Sequence, residues 1–88
     1  MKVAFRSSFV RDLKKIRDRA ALSAVRAALE RMEAADSFDG IDGLRKLAGG
    51  SGFYRIRVGD YRIGLAVSDG GIECVRCLHR REIYKHFP

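Results

Sequence analysis

The stretch from Gly52 to Val67 constrains the fold more than any other. It reads Gly-Phe-Tyr-Arg-Ile-Arg-Val-Gly-Asp-Tyr-Arg-Ile-Gly-Leu-Ala-Val. Tyr54, Ile56 and Val58 alternate with Phe53, Arg55 and Arg57; Tyr61, Ile63, Leu65 and Val67 alternate with Arg62, Gly64, Ala66 and Ser68. Alternation with period two marks half-buried antiparallel strands, and Gly59-Asp60 between them is a two-residue hairpin signal. With that loop, Val58 faces Tyr61, Arg57 faces Arg62, Ile56 faces Ile63 and Arg55 faces Gly64. One face is then continuous apolar surface, and the other gathers arginines around a glycine. Like charges directly opposite each other weaken a sheet. A polyanion lying across that face would explain the pairing, although a solvated basic face has the same pattern.

The rest of the chain must supply what covers the apolar side. Its 88 residues make one small domain, 1–88, near the low end of what a single core stabilises. At 47% apolar residues the composition is that of a folding chain and not of a disordered one. The net charge of +7 points toward nucleic acid, the ribosome or an acidic protein partner. No apolar run has membrane-spanning length and the start lacks a signal-peptide core, so the expected location is cytoplasmic, with no membrane partner. The charge is uneven: residues 1–19 hold seven Lys/Arg against two Asp, whereas 20–52 hold four against five acidic residues.

In chain order, Lys2–Phe5 is a short candidate strand. Ser7 or Ser8 can cap a helix. Its stripe is Phe9, Leu13, Ile16 and Ala20, with Arg11, Asp12, Lys14, Lys15, Asp18 and Arg19 on the remaining, solvated face. Leu22, Val25, Leu29 and Met32 carry a second helical stripe. One helix over both would be unusually long, so a helical hairpin breaking near Arg19–Ser23 is expected. Asp36–Gly43 is turn chemistry, Leu44–Ala48 a short turn whose two leucines plug the core, and Gly49–Gly52 a flexible lead. Asp69-Gly70-Gly71 turns into a strand over 72–78, with either Val75 and Cys77 or Ile72 and Cys74 toward the core. His79–Pro88 is a polar, short helical tail. Helices followed by strands in blocks predict an α+β domain, β-α-α-β-β-β-α, with an N-terminal strand and helical hairpin packed on an antiparallel sheet.

Cys74 and Cys77, with His79 and His86 behind them, raise the question of a metal or redox site. On a strand, positions three apart point to opposite faces, so buried, reduced core cysteines are the expectation and no metal is assigned.

The run Tyr54-Arg-Ile-Arg-Val-Gly-Asp-Tyr-Arg62, followed about seventeen residues later by His79-Arg80…Ile83-Tyr84, resembles the RelE/ParE superfamily of toxins from type II toxin–antitoxin modules, on its RelE side. Phe9…Leu13-Lys-Lys-Ile16 and Leu44…Leu47 extend the resemblance over nearly the whole chain. The resemblance implies a ribosome-dependent, metal-independent mRNA endonuclease without cofactors. In it the RNA 2′-OH attacks the neighbouring phosphate and a cognate antitoxin holds the enzyme inactive, a heterotetramer being one such assembly. It also implies mRNA in the ribosomal A site and rRNA as partners.

Carried over by position, Arg55 and Arg57 match the basic residues of the first hairpin strand, Arg62 that of the second, Arg80 the C-terminal arginine and Tyr84 the terminal tyrosine. The assigned catalytic set is Arg57, Arg62, His79, Arg80 and Tyr84, with Arg55, Arg45, Lys46 and Arg81 binding RNA. The residue types suit phosphoryl transfer, because a guanidinium fork binds two oxygens and stays charged. A rim tyrosine can stack on an unpaired base or act through its hydroxyl. Some members carry lysines on the first hairpin strand, one a candidate general base; here both positions are arginine, which cannot give up a proton. His79 is the neighbouring titratable group, acid or base, or else a residue that orients Arg80. The alternatives are a ParE-like DNA gyrase inhibitor and a basic module that only binds antitoxin or ribosome.

Overall fold

The alternation over 53–67 is realised residue for residue. In the computed structural model, which describes residues 1–48, 52–68 and 70–88, the elements are β1 (Val3–Phe5), α1 (Ser7–Lys15), α2 (Arg19–Ala34), a 3-10 turn (Phe38–Gly40), β2 (Leu44–Lys46), β3 (Phe53–Val58), β4 (Tyr61–Ser68), β5 (Gly71–His79) and α3 (Ile83–His86). Strands β3 and β4 pair Val58 with Tyr61, Arg57 with Arg62, Ile56 with Ile63 and Arg55 with Gly64. Gly59 has φ +59° and Asp60 does not share a positive φ, the pattern of a II′ turn, which wants glycine first. Of the expected glycine-rich lead, Gly49–Ser51 lie outside the described residues, as does Asp69 of the second turn.

The sheet runs β1-β5-β4-β3-β2. Its pairs are antiparallel except at one edge, where β1 lies parallel to β5; nothing within three residues could set that direction. The α+β architecture is as expected. Leu44–Lys46, expected as a turn, is instead an edge strand paired with β3, and Leu44 is half-buried against the core. Among the described residues no helix is long and apolar enough to cross a membrane.

The helical hairpin breaks earlier than expected. Ile16 is already extended, and Asp18 caps α2 by accepting from the Ala20 and Ala21 N–H groups at 2.9 and 3.3 Å. An Asp preceding a run of good helix formers outweighs continuation of the helix. Neither serine caps α1: its cap is Arg6, without a side-chain bond. The Ser8 hydroxyl donates to the Val75 carbonyl at 2.6 Å instead.

That bond belongs to a larger device. β1 covers the edge of β5 only over Ile72–Cys74, and an unpaired strand edge must be managed. Beyond it, the Arg6 N–H donates to Cys74 O at 2.9 Å, and the Asp12 carboxylate accepts from the Cys77 N–H at 2.9 Å. Asp12 also takes Arg76 in two hydrogen bonds of 2.7 and 3.2 Å. It is 4% exposed. The expectation of a solvated Asp12 is therefore corrected: it pins α1 to the sheet edge.

The packed face holds Phe9, Val25, Ala28, Met32, Ile56, Ile63 and Leu65. Cys74 and Cys77 both join them, contrary to the opposite-face argument. The register moves from Gly64–Arg76 to Leu65–Cys74, leaving Val75 as an extra residue. A bulge of this kind resets the alternation. The thiols are free and buried as expected, and burial pushes both up to about 12.

Candidate functional site

The arginine side of the hairpin is the opposite sheet face, and the register builds it in rows. Arg45, Arg55, Gly64 and Arg76 stand across β2, β3, β4 and β5; Arg57, Arg62 and Leu78 form the next row. Gly64 is the gap in the first row. A Cβ there would lie 2.7–2.9 Å from the Phe87 ring, so the glycine exists to seat that ring. Phe87 also meets Phe53 edge-on at 5.7 Å. Ile83 and Phe87 are 0% and 4% exposed, although neither belongs to the main core cluster. The chain end is thus anchored on the arginine face by its own small apolar contact. The anchoring places Tyr84.

Two of the arginines are nearly covered. Arg55 and Arg62 are each 8% exposed. Arg55 donates to the Tyr84 hydroxyl at 3.2 Å and to the Gly43 carbonyl at 3.3 Å. Arg62 donates to the Gly59 and Tyr61 carbonyls at 2.8 and 2.9 Å. Fixing a guanidinium on backbone carbonyls spends some of its donors but leaves its direction set. Burial, then the nearby Arg57 and Arg55, push the Arg62 guanidinium below its ordinary value; Tyr84 acts the other way, and Arg80 adds to the lowering. Those groups therefore share one electrostatic neighbourhood. Arg57, Arg80 and Tyr84 are exposed around it, Tyr84 at 59%. The Arg80 N–H donates to Asp60 O at 2.7 Å, tying the chain end to the hairpin turn. A cleft of about 160 Å³ lined by Gly43, Leu44, Arg45, Arg55 and Arg57 adjoins the cluster.

The structure brings together Arg45, Arg55, Arg57, Arg62, Arg80 and Tyr84. It does not bring His79 with them. His79 pairs with Tyr61 across the strands and meets its ring edge-on at 5.8 Å, on the side of the sheet opposite Arg62. Its Nδ1 accepts from the Arg81 N–H at 3.2 Å. It lines a separate cleft of about 410 Å³ with Asp12, Lys15, Arg76, Glu82 and His86. Period-two alternation puts adjacent residues on opposite faces, so a histidine beside Arg80 in sequence need not sit beside Arg62 in space. Lys46, opposite Tyr54, likewise falls on the other face from Arg45. Arg81 is exposed in the turn after β5. Among the described residues no group of three or more His, Cys, Asp or Glu side chains is placed to hold a metal ion.

Sequence reasoning missed the Gly43 and Gly59 carbonyls that fix the two covered arginines, the Phe87 seat, and Asp12. Only Asp12 left a usable signal: it stands three residues after Phe9 and four before Ile16, on the buried stripe.

The comparisons with known proteins bear on family and fold. Residues 3–84 match the model of the family described as ParE toxin of type II toxin–antitoxin system, parDE. Over its full length the chain is 37% identical to Toxin RelE3 of Methanocaldococcus jannaschii, all of which it covers. Among solved structures it is similar to the RelB–RelE antitoxin–toxin complex from Methanococcus jannaschii, with TM-score 0.80 and 34% identity over 97% of this chain and 99% of that one. An archaeal RelE–RelB complex from Pyrococcus horikoshii shares the fold at TM-score 0.68 and 22% identity, over 93% and 97% of the two chains. A YoeB–YefM complex from Staphylococcus aureus does so at 0.69 and 19%, over 90% and 95%. This chain is a RelE-type member of the RelE/ParE family of toxins from type II toxin–antitoxin systems.

Proposed function

We propose that this toxin cleaves mRNA in the ribosomal A site, using the arginine face of its sheet. The observation that carries the reading is one sheet face on which Arg57 stands opposite Arg62, Arg55 holds the Tyr84 hydroxyl, and Arg80 is tied to the hairpin turn. In this mechanism the RNA 2′-OH attacks the adjacent phosphate, its proton leaves, and the 5′-oxygen departs as a hydroxyl, giving a cyclic phosphate. Negative charge grows on the non-bridging oxygens, and guanidiniums already fixed in place stabilise it without reorganising. Arg57 and Arg80 reach the phosphate from the exposed rim; Arg62 meets it from below; Arg45 and Arg55 hold the flanking strand. Tyr84, exposed and steadied by Arg55, stacks on an unpaired base.

Proton transfer is the demanding step. The hairpin carries no lysine, and His79 lies on the far face, so we assign His79 no part in it. The Tyr84 hydroxyl is the group of this face able to take or pass a proton. Tyr84→Phe separates its two roles: it keeps the ring and removes the hydroxyl.

The inhibitory partner in this reading is an antitoxin whose acidic, amphipathic segment folds onto the basic surface. The working location is the cytoplasm. Primer extension on an mRNA during expression, with and without translation, tests the proposal. Translation-dependent cleavage that disappears in Arg62→Ala and Arg80→Ala is expected. Cleavage without ribosomes would contradict the A-site reading. The matching family model carries the ParE description, which favours gyrase inhibition as the second reading; DNA damage with no mRNA cleavage would select it.

A further inference from the structure

The arginine face of the sheet has a second end, and it is built differently. Two residues along β4 from Gly64, the row reads Phe53, Ala66, Glu73 and Ala4 across β3, β4, β5 and β1. The bulge at Val75 keeps Glu73 on this face while Cys74 turns to the core. Where the rows at Arg55 and Arg62 carry long cationic side chains, this one carries two alanines, and Ser68 stands opposite Gly71 beyond it. The small side chains leave a depression of about 400 Å³, lined in part by Lys2, Ala4, Arg6, Ala66, Ser68 and Glu73. That volume suits a small organic group. From Arg62 to Ala66 is four residues, about 13 Å along an extended strand, and Phe87 on Gly64 stands between. A single strand of RNA held at Arg62 therefore reaches the depression with a nucleotide that does not flank the cut.

Its polar groups suit a base edge better than a phosphate. Glu73 is a carboxylate on the face that gathers Arg45, Arg55, Arg57 and Arg62, and a negative group there opposes a phosphate backbone. As an exposed ion pair with Arg6, at 2.8 Å, it stabilises the fold little. The Arg6 Nε–H donates to one carboxylate oxygen, Oε1. Among the described residues the other oxygen and the terminal nitrogens of Arg6 make no hydrogen bond, and the two side chains remain 41% and 54% exposed. Each carboxylate oxygen has a second lone pair to offer. The pair thus presents acceptors and donors side by side in a fixed order. Guanine alone of the four RNA bases carries two adjacent donors, N1–H and N2–H₂, for one carboxylate, with O6 beside them as acceptor for a guanidinium. Adenine and cytosine offer one amino donor, and uracil one ring N–H.

We propose that Arg6 and Glu73 form a guanine-reading subsite: Glu73 accepts from N1–H and N2–H₂, and Arg6 donates to O6, of a guanine in the mRNA strand away from the cut. This rests on the mRNA-cleaving reading above and adds to it a source of sequence preference. The two ends of the face divide the work: the arginine end acts on the phosphate, and the small-residue end reads a base.

The test is the full-length variant Glu73→Gln, which keeps the shape and replaces one acceptor oxygen by a donor; circular dichroism checks the fold. Translation-dependent cleavage of an mRNA pool randomised around the cut is mapped by sequencing the new ends. The wild type should favour guanine at one fixed position that does not adjoin the cut. In Glu73→Gln that preference should fall by about tenfold, with the loss on guanine-bearing transcripts appearing in KM; Arg6→Gln should weaken it in the same direction. Simple charge removal forecasts the opposite: deleting a carboxylate from an RNA-binding face strengthens cleavage of every transcript and leaves the base profile as it was. That outcome would overturn the proposal, as would a wild type with no guanine preference away from the cut. Binding of single-stranded DNA of about eight nucleotides, which lacks the attacking 2′-OH, separates the subsite from the reading it rests on. A thymine run with one guanine should bind the wild type about tenfold more tightly than the same run with one adenine, and Glu73→Gln should bind both alike. If that holds while the wild type cuts no mRNA, the cleavage reading fails and the subsite stands; cleavage without base preference in either assay gives the reverse.

Discussion

The chain carries two cationic regions built in opposite ways. On the sheet, Arg55 and Arg62 are 8% exposed and hydrogen-bonded to backbone carbonyls and a tyrosine. On α1, the cations are exposed and enter no ion pair among the described residues. Solvated lysines and arginines cost little and give attraction that salt screens. Desolvated guanidiniums crowded on one another cost stability. What they gain is fixed direction, which transition-state stabilisation requires and simple attraction does not. The difference teaches that net charge alone cannot distinguish a cationic site held in place from a solvated cationic surface.

Asp12 joins the two regions. It sits on α1, yet it removes Arg76 from the row Arg45–Arg55–Gly64 by drawing its guanidinium to the strand edge. Without it, Arg76 would be one more free charge, and the β5 edge would lose its cover at Cys77.

The sharpest way to break the comparison is Arg62→Ala. Losing a fixed donor from such a site should lower mRNA cleavage by about 10²–10³-fold, read by primer extension at saturating ribosomes, while Lys14→Gln on α1 costs no more than a few-fold. Equal losses in both variants would mean that the two regions do not differ in kind. Next is Asp12→Ala, which strands a buried N–H and a partly buried guanidinium; we expect a loss of about 2–3 kcal/mol in urea denaturation. Arg76 is still 27% exposed, which keeps the cost below that of a fully buried orphan.

Gly64→Ala sharpens the sheet side alone. Its methyl must displace the Phe87 ring, at about 1–3 kcal/mol. With Phe87 moves the seat of Tyr84, so cleavage should fall; normal cleavage would show that Tyr84 does not depend on that seat.

The smallest effect near neutrality concerns the core between the regions. Cys74 and Cys77 are held up to about 12 against an ordinary 9.0. Folding therefore favours the thiol, and the unfolded chain releases those protons first. Their contribution is complete below pH 9 and is lost as pH rises from 9 toward about 12. The urea midpoint of the wild type should fall in that window more steeply than that of Cys74→Ala/Cys77→Ala. Parallel curves would show that the thiols are not the cause.

Much of this was legible in the chain itself. The hairpin register was readable from Tyr54 to Leu65 because a two-residue turn and a period-two pattern leave one pairing that buries the apolar set. The α+β class, the helical hairpin and the gathering of Arg55, Arg57 and Arg62 followed from the same local rules. What local rules could not supply were the places where distant segments meet. The bulge at Val75 turned both cysteines inward, since the extra residue is defined only against β4. Asp12 went from solvent to core because its partners lie 64 and 65 residues away. His79 and Tyr84, both assigned to the site from the sequence, part in the fold: alternation carries the first to the far face, and Phe87 on Gly64 brings the second to Arg55. The sequence by itself determined which residues share a strand face, because backbone geometry alternates without regard to the rest of the chain. Only the tertiary structure decided which charges are fixed and which are free, because desolvation and hydrogen bonding depend on what packs above them.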